Sequence, residues 1–282
     1  MSIQIPKYDF NNPLKLEFEL TTISAIYKKS KQKLSLPHKQ DFFGLFLFTN
    51  SIGKHFVDFK EYEIKKDAVF FISNEQVHYF KEIEETTGNV ILFTNSFLEN
   101  DFLIEQIFER KIGQPVLYLN TDLRLKIEVL ILQIQTVISS KNKFSSLLLK
   151  NYLEIILLEI LQFNSENSSL HDINHKRFIQ FKKDLKENYK TNKNVPFFAE
   201  RQLISTKTLN TATRKIINKS AKQFISDYII LLAKRMLVNS SFTTTEISFQ
   251  LGFDEPTNFT KFFKNKENIS PKKFQKEHQK SI

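Results

Sequence analysis

Two short stretches near the end of the chain place hydrogen-bonding and cationic side chains on one side of a helical repeat and apolar ones on the other. In the first, Lys207, Asn210, Thr211 and Arg214 recur at i, i+3, i+4 and i+7, opposite Leu209, Ala212, Thr213 and Ile216. In the second, Thr257, Thr260, Lys261 and Lys264 oppose Phe259, Phe262 and Phe263, and Asn258 joins the polar set. Such side chains suit contacts to base edges in a major groove, with Arg, Lys and Asn able to make bidentate ones. The expected base readers are therefore Lys207, Asn210, Thr211, Arg214, Thr257, Asn258, Thr260 and Lys261. Ser205, Lys264, Lys272 and Lys273 are the expected phosphate contacts. Of these, Lys272 and Lys273 follow Ser270-Pro271 in the first turn of a last helix, where backbone N–H groups favour an anion. The alternative for each stripe is a solvated helix face, and for Arg214 a phosphate clamp.

Each stripe needs an element to present it. Around residues 243–264, Thr243 and Glu246 form a capping box for a short helix whose buried face is Ile247, Leu251 and Phe253. Gly252 allows the positive φ of a tight turn, Asp254 is the expected cap of the next helix, and Pro256 fits in its first turn. That order of features is a helix-turn-helix whose second helix enters a major groove. An ordinary helical hairpin would account for one such unit, but a second copy lies upstream. Residues 196–203 read as its first helix, Ile204-Ser205 as its turn, and 206–217 as its second helix, capped by Ser205. Both units end in an Asn-containing turn followed by Ser, at Asn218-Lys219-Ser220 and Asn268-Ile269-Ser270. A connecting helix over 221–238 would span about 27 Å, which lets the two second helices approach the roughly 34 Å repeat of one DNA turn.

Charge locates the nucleic-acid surface. From residue 170 onward there are 22 Lys and Arg against 10 Asp and Glu, a formal +12, whereas residues 1–169 carry −2. A basic half joined to a near-neutral half is expected of a DNA-binding domain attached to a sensing or assembly domain.

The segment EISFQLGFDEPTNFTKFFK, the following Ser270-Pro271-Lys272-Lys273-Phe274, and Leu209-Asn210 with Arg214-Lys215 resemble the AraC/XylS family of bacterial transcription regulators. The resemblance covers roughly residues 178–276. It implies two helix-turn-helix units joined by a long helix, binding of double-stranded DNA, and assembly as dimers; RNA polymerase is a further candidate partner. The chain departs from the family at Ser248, where Ala is usual, at Asn218 and Asn268, where Gly is usual, and at Thr211, where Arg is frequent. The two Asn preserve the backbone requirement, whereas Thr211 removes a long cationic reader.

The N-terminal portion reads as β structure. Residues 42–48, 55–59, 68–72, 77–80 and 89–93 are short apolar or alternating runs separated by turns, as in an all-β sandwich or barrel. A helix near 96–109 and a last strand at 115–119 follow. The strings PHKQDFFGLFLF and HFVDFKEYEIKKDAVFFISNEQVH also resemble the cupin-type sensor barrel of many AraC-like regulators. His38, His55 and His78 lie far apart in sequence and form no His-x-His pair with a following Glu, so no metal is expected. A small-molecule effector in a barrel pocket and a barrel filled by its own Phe side chains both fit the composition.

Two helices, 122–138 and 144–163, separate the halves. In the first, Leu123, Ile127, Leu130, Ile134 and Val137 step 4, 3, 4, 3, and Leu149, Leu153, Ile156, Ile160 and Phe163 repeat the rhythm in the second. That pattern suits a dimerisation seam, with packing of the hairpin wholly against its own barrel as the alternative. The polar stretch at 164–172 is the expected interdomain linker.

These readings give an α+β chain. A cupin-like sensor and dimerisation domain with a helical hairpin occupies 1–163, a linker 164–174, and an all-α double helix-turn-helix domain 175–282. No run of about 20 apolar residues could span a bilayer, and no leading signal segment is apparent, so a cytoplasmic homodimer is expected. Zero cysteines exclude disulfides and thiolate catalysis. With no phosphate-cradling glycine loop, metal-binding helix or nucleophile elbow, neither an enzyme nor a cofactor is expected. The function expected is sequence-specific regulation of transcription, controlled by a small effector in the barrel. Its rivals are a cupin-like metal enzyme with a basic helical appendage and a ligand-independent DNA-binding protein.

Overall fold

Short Phe-rich runs build the first unit, which lies within residues 6–167; the second lies within 168–282. The computed structural model describes residues 7–10, 17–50, 52–74, 76–108, 115–140, 142–166, 173–239 and 242–279, excepting the side chains of residues 32, 164–166, 239 and 279. In chain order the first unit contains β1 (Lys7–Tyr8), β2 (Phe18–Thr22), α1 (Ile23–Ser35), β3 (Lys39–Gln40), β4 (Phe43–Phe48), β5 (Lys54–Val57) and β6 (Lys60–Glu63). It continues with β7 (Ala68–Ile72), β8 (His78–Lys81), β9 (Gly88–Phe93), α2 (Asn95–Leu98), α3 (Asp101–Ile107), β10 (Val116–Tyr118), α4 (Thr121–Ser140) and α5 (Ser145–Glu166).

The strands form a five-stranded sheet, β10-β7-β4-β9-β2, a three-stranded sheet, β6-β5-β8, and a β1-β3 pair. All pairings in the two larger sheets are antiparallel, with Phe46 of β4 opposite both Phe70 of β7 and Val90 of β9. Every residue of β4 and β7 is buried, as expected of strands covered on both faces. Phe46, Phe48, Phe70, Ile72 and Val90 share one apolar cluster with Val57 and Phe80 of the smaller sheet and Ile23 and Tyr27 of α1. Burying each of these large side chains contributes about 1.5–3 kcal/mol.

The expected barrel is not closed. The five-stranded sheet ends at β2 and β10, and neither strand hydrogen-bonds to the three-stranded sheet. Helix α1, absent from the sequence reading, packs against β2, β9 and β8 and so covers the interior where closure would have joined the sheets. The helix expected over 96–109 is two helices, because Glu99 adopts the left-handed conformation and Asn100 begins a new cap. Residues 109–114 lie outside the described residues.

Helices α4 and α5 pack against each other within the chain, and α5 also packs on α2 and α3. This contact buries Leu123, Ile127, Ile131, Ile134 and Val137 of α4, leaving Leu130 partly covered. Four of the five residues expected in a dimer seam are thus covered by the chain itself. The outward stripe of α4 is instead Leu125, Val129 and Leu132, and that of α5 includes Leu147, Ile155 and Leu158. Of the expected linker, residues 167–172 lie outside the described residues; α5 continues to Glu166.

The second unit is all-α: α6 (Ile173–Asn188), α7 (Val195–Arg201), α8 (Thr206–Ile217), α9 (Ala221–Asn239), α10 (Thr244–Gln250), α11 (Pro256–Glu267) and α12 (Pro271–Gln279). One aromatic core joins Phe178 and Phe181 of α6 to Phe198 of α7 and Phe224 of α9. Another joins Phe259 and Phe263 of α11 to Phe274 of α12. No described helix is long and apolar enough to cross a membrane.

Candidate nucleic-acid interface

Helices α7 and α8 form the first helix-turn-helix unit, and α10 and α11 the second. Helix α8 starts at Ser205, whose hydroxyl accepts the Thr208 N–H at 3.0 Å. It stops at Asn218, left-handed at φ 54°, whose N–H reaches the Arg214 carbonyl. Leu209, Ala212 and Thr213 are buried, and Thr213 satisfies its hydroxyl on the Leu209 carbonyl. Helix α10 has the expected capping box: the Glu246 N–H donates to the Thr243 hydroxyl and the Thr243 N–H to the Glu246 carboxylate. The Thr243 N–H, and then its hydroxyl, donate to the Glu246 carboxyl and hold it below its ordinary pKa. The Ser248 hydroxyl is buried but donates to the Thr245 carbonyl at 2.7 Å, which lets Ser occupy a position where Ala is usual.

At α11 the expected cap is corrected. The N-cap is Glu255, not Asp254, and it makes no side-chain cap bond. Pro256 at the first helical position disfavours the helical region for the residue before it, and Glu255 is extended at φ −131°, ψ 135°. Helix α11 ends at Asn268, left-handed at φ 59°.

The outward faces carry most of the expected contacts. Lys207, Thr211, Arg214, Thr257, Asn258, Lys261 and Lys264 are exposed, and Thr260 is partly covered with its hydroxyl on the Pro256 carbonyl. Among the described residues, Lys207, Arg214, Lys261, Lys264 and Lys272 enter no ion pair, which leaves their charges facing solvent. Lys272 and Lys273 lie in the first turn of α12, where Ser270 accepts the Lys273 N–H; the Lys273 ammonium lies 3.7 Å from the Glu277 carboxylate. Ser205 is exposed at the start of α8 but is already engaged as its cap.

Asn210 also bonds within the protein. Its amide Nδ2 donates to the Thr206 carbonyl at 2.9 Å and its Oδ1 accepts the Ala221 N–H at 3.0 Å. The amide nitrogen and oxygen are each engaged once inside the protein, so Asn210 ties α8 to the start of α9 and keeps one N–H and one lone pair. Ser220 and Gln223 complete that junction as a capping box, in which each side chain accepts the other residue's N–H. The Ser-x-x-Gln spacing was visible in the sequence; the long-range Asn210 bond was not.

The first unit holds a second polar constellation. His38, His55 and His78, scattered in sequence, converge with Gln40 in the interior, and all four are 0–3% exposed. Hydrogen-bond logic fixes every ring. His38 Nδ1–H donates to the Leu36 carbonyl at 2.9 Å, since a carbonyl only accepts. Gln40 donates its Nε2 to the Phe42 carbonyl, so its Oε1 accepts His78 Nε2–H at 3.2 Å. Neutral His78 then has a bare Nδ1, which accepts His55 Nε2–H at 3.2 Å. The chain of donors ends on His55 Nδ1, a buried lone pair with no partner. Burial drives all three rings towards neutrality, pulling His38 down to about 4 and His55 and His78 well below the usual 6.5. Among the described residues, no group of three or more His, Cys, Asp or Glu side chains is placed to hold a metal ion.

Comparisons with known proteins agree with this geometry. The profile of a helix-turn-helix domain family matches residues 198–277, which include both recognition helices. The Msm operon regulatory protein of Streptococcus mutans is 33% identical over 100 residues, or 36% of each chain, so the match spans about a third of that relative's length. Among solved structures, unsaturated fatty acid-bound ToxT from Vibrio cholerae overlaps 92% of this chain and 94% of its own, at 15% identity and a TM-score of 0.43. The C-terminal domain of the response regulator YesN from Fusobacterium nucleatum overlaps 34% of this chain and 93% of its own, at 21% identity and a TM-score of 0.32. At those scores the overlaps add nothing to the assignment, which rests on the sequence matches and the two units. Residues 198–277 thus carry a helix-turn-helix domain of the type found in the AraC/XylS family of transcription regulators.

Proposed function

We propose that the chain is a sequence-specific regulator of transcription in which α8 and α11 enter successive major grooves on one face of duplex DNA. The observation that carries this reading is the repetition of one construction. Each unit has a short first helix, a left-handed turn and a second helix that ends at a left-handed Asn, buries its apolar face and turns unpaired cations outward. Helix α9, at 19 residues, is about 28 Å long and suits the separation that successive grooves require. Lys207, Thr211, Arg214, Thr257, Asn258, Thr260 and Lys261 are the proposed base readers. Lys264, Lys272 and Lys273 are the proposed phosphate contacts, with Ser205 at the same surface.

The first unit is the proposed sensing and assembly domain, with a small effector as its ligand and a second copy of the chain as its partner. The exposed stripe of Leu125, Val129 and Leu132 on α4, beside Leu147, Ile155 and Leu158 on α5, supports self-association better than the covered residues Leu123, Ile127, Ile134 and Val137. Enrichment of bound duplexes from a random library, followed by footprinting of the winner, tests the reading. A recurrent motif protected on one face should emerge, and enrichment without any motif would contradict sequence-specific recognition.

A further inference from the structure

The two helix-turn-helix turns share a conformation but differ in surroundings. Leu203 turns the first unit at φ 54° and is 95% exposed. Gly252 turns the second at φ 70°, and a Cβ there would lie 1.7 Å from the Lys190 carbonyl oxygen and 2.5 Å from its carbon. Left-handed geometry is thus tolerated by leucine in one unit, whereas glycine at 252 answers to the close approach of another backbone segment. That segment, residues 190–193, leads directly into Asn194, the N-cap of α7.

Lys193 fastens the approach. Its ammonium donates to the Gly252 carbonyl and lies 4.9 Å from the centroid of the Phe253 ring. Phe253 in turn packs on Phe259 and Phe262 of α11, so the cation bears on the start of the second recognition helix. The far end of α11 is held separately, by Lys234 of α9 on Glu267 at 2.8 Å and by Lys266 on Asp227 of α9 at 3.4 Å. A helix joined to a neighbour at one end can still pivot. Attachment at both ends fixes its direction.

We propose that Lys193, seated on Gly252 and Phe253, is a positioning residue that sets the offset between α8 and α11 and hence the spacing of the two groove segments that the protein accepts. The proposal rests on the reading that both units engage DNA. It assigns Lys193 no contact with a base.

The test measures affinities of the full-length protein for duplexes in which the two protected segments are at the selected spacing or are moved apart or together by one base pair, with a nonspecific duplex beside them. Wild type should prefer the selected spacing; a wild type indifferent to spacing would overturn the two-groove reading, and the role of Lys193 with it. If wild type discriminates, Lys193→Met should lose about tenfold at the selected spacing, the scale of one charge-assisted hydrogen bond. It should bind the shifted and nonspecific duplexes as wild type does, so that its spacing profile flattens. Lys193→Arg, which keeps a cation and donors, should restore the preference. A Lys193→Met protein with an unaltered profile, or one weakened equally on every duplex, would overturn the positioning role while leaving two-groove binding intact.

Discussion

Asn210 Oδ1 accepts the backbone N–H of Ala221 at 3.0 Å, so the first residue of the long helix α9 is tied to the middle of the first recognition helix. The bond converts an outward-stripe residue into a joint. Asn210→Ala should therefore behave as the loss of a helix cap, lowering the stability of the C-terminal unit by about 1 kcal/mol. DNA affinity should fall alike on cognate and altered sites. A relaxed preference at a single base pair, seen by competition among altered sites, would return Asn210 to the base readers.

Arg214 and Lys272 separate reading from holding. Arg214 is exposed on α8 with no ion pair among the described residues, and Lys272 lies in the first turn of α12. Arg214→Ala should cost about 1–3 kcal/mol on the specific site and relax preference at one or two base pairs. Lys272→Ala should weaken specific and nonspecific binding together and reduce the salt slope by about one. Titrations at several salt concentrations distinguish the two. A uniform loss for Arg214→Ala would make it a phosphate clamp.

The histidine array makes the first unit acid-sensitive. All three rings bind protons less readily folded than unfolded, so below about 6.5 the unfolded state takes up protons that the folded state refuses. Stability is thus complete above about 6.5 and falls as pH drops, through the value of about 4 at His38 and further for His55 and His78. Each histidine contributes a slope approaching 1.4 kcal/mol per pH unit once its unfolded form is protonated. Urea unfolding of the full chain at pH 7.5, 6 and 5 should show the loss, and His55→Phe should reduce its slope by about one proton. An unchanged slope in that variant would show that His55 does not titrate as described.

Assembly should follow the exposed stripe. Ile134 is 0% exposed, so Ile134→Asp should unfold the hairpin; Leu132 is 60% exposed, so Leu132→Glu should leave the fold intact. Sedimentation should then report a dimer for wild type and a monomer for Leu132→Glu. A Leu132→Glu dimer as tight as wild type would remove this stripe from the interface.

The legible parts of the chain were those specified by neighbours in sequence. The Thr243–Glu246 box, the Ser205 cap and the two Asn terminators act within four residues, and their geometry follows from residue type. Helix α1 escaped because its sequence is mostly polar and its backbone breaks at Ser30, weakening the helical period. Strand β6, Lys-Glu-Tyr-Glu, is a polar edge strand whose pairing comes from β5. Convergence of His38, His55 and His78 depends on a bridge between His38 and His78 and on the pairing of β5 with β8, contacts over tens of residues that no local spacing encodes. The same holds for Lys193, whose partner Gly252 lies 59 positions away.

Inserting about half a helical turn of DNA between the two protected segments measures the central claim most directly, because it places the second groove on the opposite face of the duplex. If α8 and α11 both read DNA from one chain, affinity should collapse towards that of a nonspecific duplex and recover in part when a full turn is inserted and a flexible contact can form. Unchanged affinity for the half-turn insertion would mean that one unit alone engages the site.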